Sequence, residues 1–414
     1  MNFCVKLILY SLGLASVCLL AFNILVFDLV GWLDLLKPAT AVRDEGCVLK
    51  KGVKGGEDLV RWNDQVVLTG STNRANWFRR MPLHPTPKGK IFVINGFSKD
   101  LKPWAIKKMP VYELPLAHYP LGTSFQPLGM DVLKERNLLY VVNNAGHNGG
   151  TRIEVFHIAV DAADTPVGLT YQYPIQSEAL DNLAYGNLNA IAVVAPNKFY
   201  VTKAFENPFP PKGQDLPREY FVFRQLVYKT TEVLYIELNV DTKEMKMEHA
   251  AGGFAMANGI TFNTDKTRVY VADLFDKTVT IFKRDPSTNK LARLRTVFIN
   301  HLPDNIKFDH ETGRVYAGAL ERGYHLFNFD SPPFDPYKGE LSVVTEIDCP
   351  EDLESACKLR DLVVSEKLNM FSSGIRMHNY IVASTALYHD GLLICPLDER
   401  APVKVAKEKL YKGD

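Results

Sequence analysis

NTDKTRVYVADL at 263–274 and DHETGRVYAGAL at 309–320 are two copies of one pattern: a polar turn, then Arg-Val-Tyr leading a short run of β-branched, aromatic and small residues. Asn, Asp and Gly supply the bend, and the run that follows has strand composition. Looser copies are LKERNLLYVVNN at 133–144, APNKFYVTK at 195–203 and KIFVINGF at 90–97, with a further strand-like YIVASTALY at 380–388. With Phe92, Tyr140, Tyr200, Tyr270 and Tyr316 as markers, the repeat recurs at irregular intervals of roughly 45–70 residues, which suits propeller blades with loop insertions better than helical solenoids. Six blades over roughly 360 residues is the natural count. The expected fold is therefore all-β, a six-bladed β-propeller. A pair of β-sandwiches is the alternative, but no Pro-, Gly- or Ser-rich linker divides the chain.

Composition supports a large core: 46% of the 414 residues are hydrophobic, against disorder. The formal net charge is +1, with no basic run interleaved with aromatics, so nucleic acid is a poor partner. From Leu7 to Phe27 the chain carries no charge, enough to span ~30 Å of hydrocarbon as a helix. Lys6 precedes this run while Asp28 and Asp34 follow it, which orients the N-terminus to the cytosol. The expectation is one N-terminal transmembrane anchor and stalk, residues 1–37, ahead of a propeller at 38–414 on the lumenal or extracellular side; a cleaved signal peptide, giving a secreted protein, is the alternative.

Cys47, Cys349, Cys357 and Cys395 form an even set in the extracytosolic part, able to make two disulfides. Cys349 and Cys357 bound a short polar loop suited to a local bridge. That leaves Cys47 and Cys395 at opposite ends, where a bond would close a ring; buried free thiols are the alternative. ENPFPPKGQDLPREYFVFRQL at 206–226 is the longest irregular stretch. It is expected to pack on the domain, its aromatic part helical over the channel mouth or against a membrane.

Four tetrads that read as turns place amide or carboxylate oxygens beside small or apolar residues: GGED at 55–58, NLNA at 187–190, ANGI at 257–260 and PDNI at 303–306. They supply Glu57, Asp58, Asn187, Asn189, Asn258, Asp304 and Asn305. Calcium takes six to eight hard oxygens, so such a set converging from several blades is apt for it. No CxxC, HExxH, P-loop or G-x-S-x-G is present, which removes the common zinc, nucleotide and serine-hydrolase readings. SSG at 372–374 reads as a turn.

The tetrads, in this order and with DHETGRVYAG and SFQPLGM, resemble the paraoxonase/arylesterase family over residues 45–398, a family related to gluconolactonase-like propellers. The resemblance implies a central catalytic calcium on Glu57, Asn189, Asn258, Asp304 and Asn305, a terminal disulfide between Cys47 and Cys395, and an uncleaved N-terminal hydrophobic segment matching residues 7–27. It also implies calcium-dependent hydrolysis of lactones or aryl esters. Three departures stand out. The family's histidine dyad falls on Leu128 and Asn144, leaving His147 as a substitute from a glycine-containing loop and Asp304 as candidate base. The aspartate after NLN, needed for a second calcium, is Ala190, which puts Asp58 and the Met130 carbonyl in question as a second metal site. A family histidine near the GAL turn is Leu320. The expected substrate is a small lipophilic ester or lactone; the alternative is a catalytically weak or inactive anchored propeller that acts as chaperone or assembly factor for membrane-protein clients.

Overall fold

A computed structural model describes residues 10, 11, 13, 14, 16, 17, 40–72, 89–143, 151–184, 187–206, 224–322, 341–386 and 389–411. Six sheets form the blades of a propeller. Their inner strands are Gly56–Arg61, Pro127–Leu133, Leu188–Ala195, Ala257–Phe262, Leu302–Asp309 and Phe371–Met377, in blades one to six.

The repeated runs are the second strands of blades two to six: Leu138–Asn143, Lys198–Lys203, Arg268–Asp273, Arg314–Leu320 and Tyr380–Thr385. KIFVINGF does not belong to this series. Lys90–Asn95 is the third strand of blade one, whose second strand is Val66–Ser71. The apolar marker lies in the right blade but one strand out.

These strands read as continuous apolar runs because both faces are buried. Alternate side chains of one strand enter different interfaces: Leu139 and Val141 pack toward blade one, Tyr140 and Val142 toward blade three. Likewise Val269 and Val271 face blade three, while Tyr270 and Ala272 face blade five. The core is thus a closed series of inter-blade layers. Each buried side chain of this size contributes about 1.5–3 kcal/mol.

The ring is closed by the N-terminal strand Val48–Lys54, which pairs with Asp390–Pro396 as the outer strand of blade six. The Cys47–Cys395 disulfide sits beside the first pair of that register, Val48 with Ile394. Cys349–Cys357 forms the second disulfide, so both expected bridges are present. Beyond the closure, Lys404–Val405 adds to the outer edge of blade five and Lys407–Leu410 to that of blade four. This covers edges that would otherwise present unpaired backbone groups. Arg295, fully buried, joins the tail to the small disulfide loop: its guanidinium donates to Ser355 O (3.0 Å) and Asp352 O (2.7 Å) and pairs with Glu408 (3.2 Å).

Of the N-terminal apolar segment, Tyr10, Ser11, Gly13, Leu14, Ser16 and Val17 are helical. Among the described residues no helix is long and apolar enough to cross a membrane, and most of residues 7–27 lies outside them. In the 206–226 stretch, residues 224–226 belong to a short helix that runs on to 228 and packs on the propeller. Gln225 Nε2 donates to Ala204 O (2.8 Å) and Ala255 O (2.7 Å), and Leu226 is buried.

Candidate active site

All four oxygen-bearing tetrads open inner strands, and what makes them look like turns is a β-bulge. The pairing register between first and second strands breaks between Gly56 and Leu59, Leu188 and Ile191, Ala257 and Ile260, and Pro303 and Ile306. Glu57–Asp58, Asn189–Ala190, Asn258–Gly259 and Asp304–Asn305 are the residues inside those breaks. A bulge leaves residues unpaired and re-aims their side chains. Here it frees polar residues from ladder pairing at one end of the central channel. The same break occurs between Pro127 and Met130 and between Phe371 and Ser373. SSG at 372–374 is accordingly strand rather than turn.

Two glycines let the inner strands meet at this level. A Cβ on Gly259 would lie 2.5 Å from Ile306 N and 2.7 Å from Asn305 Cα; one on Gly129 would lie 2.4 Å from Asn189 O. Backbone contact on that scale sets Asn258 against Asn305 and blade two against Asn189. Asn305 Nδ2 reaches Glu57 Oε1 at 2.9 Å. From blade six, Ser372 and Ser384 hydroxyls donate to Glu57 O at 2.5 and 2.9 Å, fixing the backbone that carries the carboxylate. Sequence reasoning missed these serines, since a hydroxyl on an inner strand has no spacing signature.

Glu57, Asn258, Asp304 and Asn305 are all buried. Asn189 Oδ1, Asn258 Oδ1 and Asn305 Oδ1 are buried acceptors that receive no hydrogen bond from the described residues. A buried unsatisfied polar atom costs about 1–3 kcal/mol, and three such oxygens stand on inner-strand bulges of blades three, four and five, at the same position in the fold as Glu57 and Asp304. Hard neutral and anionic oxygens fit calcium. Among the described residues no group of three or more His, Cys, Asp and Glu is placed to hold a metal ion, so a cation here would rest chiefly on the amide oxygens. Asn187 opens the blade-three tetrad, and its Nδ2 donates to Phe205 O (3.3 Å).

Above this level lies an apolar layer. Ala204, Leu226, Ala255, Met256, Leu274, Phe275, Leu302, Leu320 and Met370 form one buried cluster. Its members sit at the channel end where the tetrads lie: Met256 precedes the Asn258 strand, and Leu302 pairs with Leu320 two residues before Asp304. Asp273 holds the approach to Asn258 by accepting from Ala255 N (2.8 Å) and Met256 N (2.9 Å). Burial, with the charge of Asp276 added, pushes its carboxyl up to about 6. Leu128 packs against the interface of blades two and three. Asn144 and His147 lie outside the described residues.

One level further down the channel the picture reverses. Asp58 is fully buried; its Oδ1 accepts from Leu59 N (2.9 Å) and its Oδ2 from Met130 N (2.8 Å). The same Oδ2 pairs with Lys307 Nζ at 2.8 Å, and that ammonium also lies 3.4 Å from Met130 O. Ala190 is buried among apolar neighbours of blades three and four. These residues do not fit a second metal ion.

The sequence profile of the Arylesterase family matches residues 81–351. Serum paraoxonase/lactonase 3 of Oryctolagus cuniculus is 29% identical over 342 residues, covering 81% of this chain and 85% of the relative. Serum paraoxonase/arylesterase 1 of Rattus norvegicus is 26% identical over 324 residues, with 76% and 81% covered. Among solved structures, the Malassezia sympodialis allergen Mala s 1 aligns over 87% of this chain and 98% of its own, with 13% identity and a TM-score of 0.49. With the profile covering most of the chain, the protein belongs to the arylesterase family.

Proposed function

We propose that this protein hydrolyses lipophilic esters or lactones at a calcium ion held by Glu57, Asn189, Asn258, Asp304 and Asn305. The observation that carries the reading is the set of three buried amide oxygens with no donor among the described residues, on the inner-strand bulges of a propeller whose blades one and five carry Glu57 and Asp304 at the same position. Family membership supports the reaction class, since the relatives are named for paraoxonase, arylesterase and lactonase activities. Calcium bound there supplies a Lewis acid for the substrate carbonyl.

The chain's own part is positioning and proton transfer. The hydrogen bond from Asn305 orients Glu57 and leaves the Asn305 amide oxygen without a donor among the described residues, available to an ion. Asp304 accepts the proton of the attacking water, replacing the histidine dyad that Leu128 and Asn144 no longer provide. Leu226, Leu274, Phe275 and Leu320 receive the acyl or aryl part and exclude water around it, which strengthens the electrostatics of the site. Two disulfides accord with an oxidising lumenal or extracellular setting, and residues 7–27 serve as the anchor.

The test is turnover of an aryl ester and a lactone series by the full chain, with calcium, with chelator and with Asp304→Asn, metal content being measured alongside. Calcium-dependent turnover that falls about a hundredfold or more in a metal-loaded Asp304→Asn variant is expected. No turnover by folded, calcium-loaded protein would overturn the enzyme reading and leave a non-catalytic anchored propeller that assists membrane-protein clients. Best activity on the shortest, most polar lactones would contradict the lipophilic substrate class.

A further inference from the structure

The Asp58 carboxylate poses a problem that the chain solves by itself. It is fully buried, and two backbone N–H donors do not neutralise its charge. An unpaired buried carboxylate is very costly. Lys307 belongs to blade five, Asp58 to blade one and Met130 to blade two, so the lysine reaches over the channel from a blade adjacent to neither. Its stem lines a cavity of about 440 Å³ at the channel end opposite the apolar layer, together with Arg61, Asp131, Asp309 and Arg376. From there the ammonium is inserted upward onto Asp58.

We propose that Lys307 Nζ is a resident cation for Asp58, standing where the family resemblance places a second calcium, so that this protein binds one calcium and not two. Two features make the substitution self-consistent. The position after NLN carries a buried alanine, removing a carboxylate that would have left excess negative charge beside a monovalent cation. The ammonium takes one carboxylate oxygen and lies near one carbonyl, at 2.8 and 3.4 Å, donors chemically alike to those a divalent ion would use. Because the cation is covalently part of blade five, it ties three blades together whether or not calcium is present. The lower half of the channel is then insensitive to chelation, while the upper cradle remains dependent on an ion from solution.

The number of ions rests on the calcium reading above; the clamp does not, and the two are tested separately. In the full chain under chelator, Lys307→Met is expected to lower the melting temperature by about 5 °C or more, and Asp58→Asn in that background to recover most of the loss. A neutral Lys307→Met, or a loss of the same size with Asp58 already replaced, would overturn the clamp. Bound calcium counted in the unaltered protein at saturation needs no variant and decides the rest. One ion per chain supports the proposal, and two overturn it. None would sink the calcium reading while leaving the melting comparison to judge Lys307.

Discussion

Glu57 and Asp58 are neighbours on one β-bulge of one strand, yet they meet opposite surroundings. Glu57 accepts from the Asn305 amide, on a bulge level where Asn189, Asn258 and Asn305 carry buried amide oxygens with no donor among the described residues. Asp58 faces backbone donors and an ammonium, and its charge is answered from within. On the function proposed above, the difference separates a layer that holds an ion from a layer that holds the fold. In the first, polar groups are left unsatisfied at a cost in stability; in the second, the buried charge has its partner.

The contrast is open to attack. The largest expected effect is on the cradle: Asn258→Ala should weaken calcium binding and reduce kcat/KM by about a hundredfold, taking the loss of one oxygen as comparable to other metal-site substitutions. Calorimetry and kinetics on the same preparation would show it. Under chelator the same variant should melt no lower than the unaltered protein, because an unsatisfied buried acceptor has been removed. A clear destabilisation without calcium would erase the distinction between the layers. Gly259→Ala is expected to damage both layers at once, since its Cβ would strike the backbone of Asn305 and Ile306 in the strand that also carries Lys307. Overpacking of this kind costs about 1–3 kcal/mol, readable by thermal melting, and normal stability would show that blades four and five are not held at that distance.

The smallest effect comes from a lysine–aspartate pair outside the channel. Lys404 on the C-terminal tail lies 2.9 Å from Asp361, which His301 approaches at 3.3 Å. Burial opposes ionisation of Asp361, but the His301 and Lys404 interactions outweigh it and hold the carboxyl below the usual range. A depressed folded value contributes stability that is full above the unfolded carboxylate value near 4 and is lost as pH falls below it. Lys404→Met should therefore flatten the acid side of the stability profile and cost less than about 1 kcal/mol at neutral pH, because Lys404 is half exposed. A loss as large as that of Lys307→Met would show that burial in the channel is not what gives the Asp58 pair its weight.

Much of the fold was legible because the second strands are buried on both faces. Runs such as LLYVVN and RVYVAD therefore carry apolar residues at consecutive positions, and a turn of Asn, Asp or Gly precedes them. The inner strands were hidden for the opposite reason: their bulges carry Asn, Asp and Gly, the composition of turns, so the strand starting at Ala257 or Phe371 read as a loop. In blade one that left Val66–Ser71 overlooked in favour of Lys90–Asn95. The oxygen set was recoverable only as a family pattern, since no local spacing joins Glu57 to Asn305. Lys307 had a signal that went unread. It stands two residues after Asn305, on the same strand, and the alanine at 190 matches the single positive charge that, on the proposal above, stands in for a divalent ion.

The closure of the ring by its first strand has a consequence for how the protein is made. The 348 residues separating Cys47 from Cys395 take roughly 20–70 s to synthesise at ordinary elongation rates. Throughout that interval the outer strand of blade six has no blade to join and Cys47 lacks its partner thiol. The short strands that finish blades five and four follow Cys395 in the sequence and come later still. A product truncated before Asp390, or oxidised prematurely at Cys47, would hold five blades and still be an open chain, so closure of the ring waits on the Asp390–Pro396 strand.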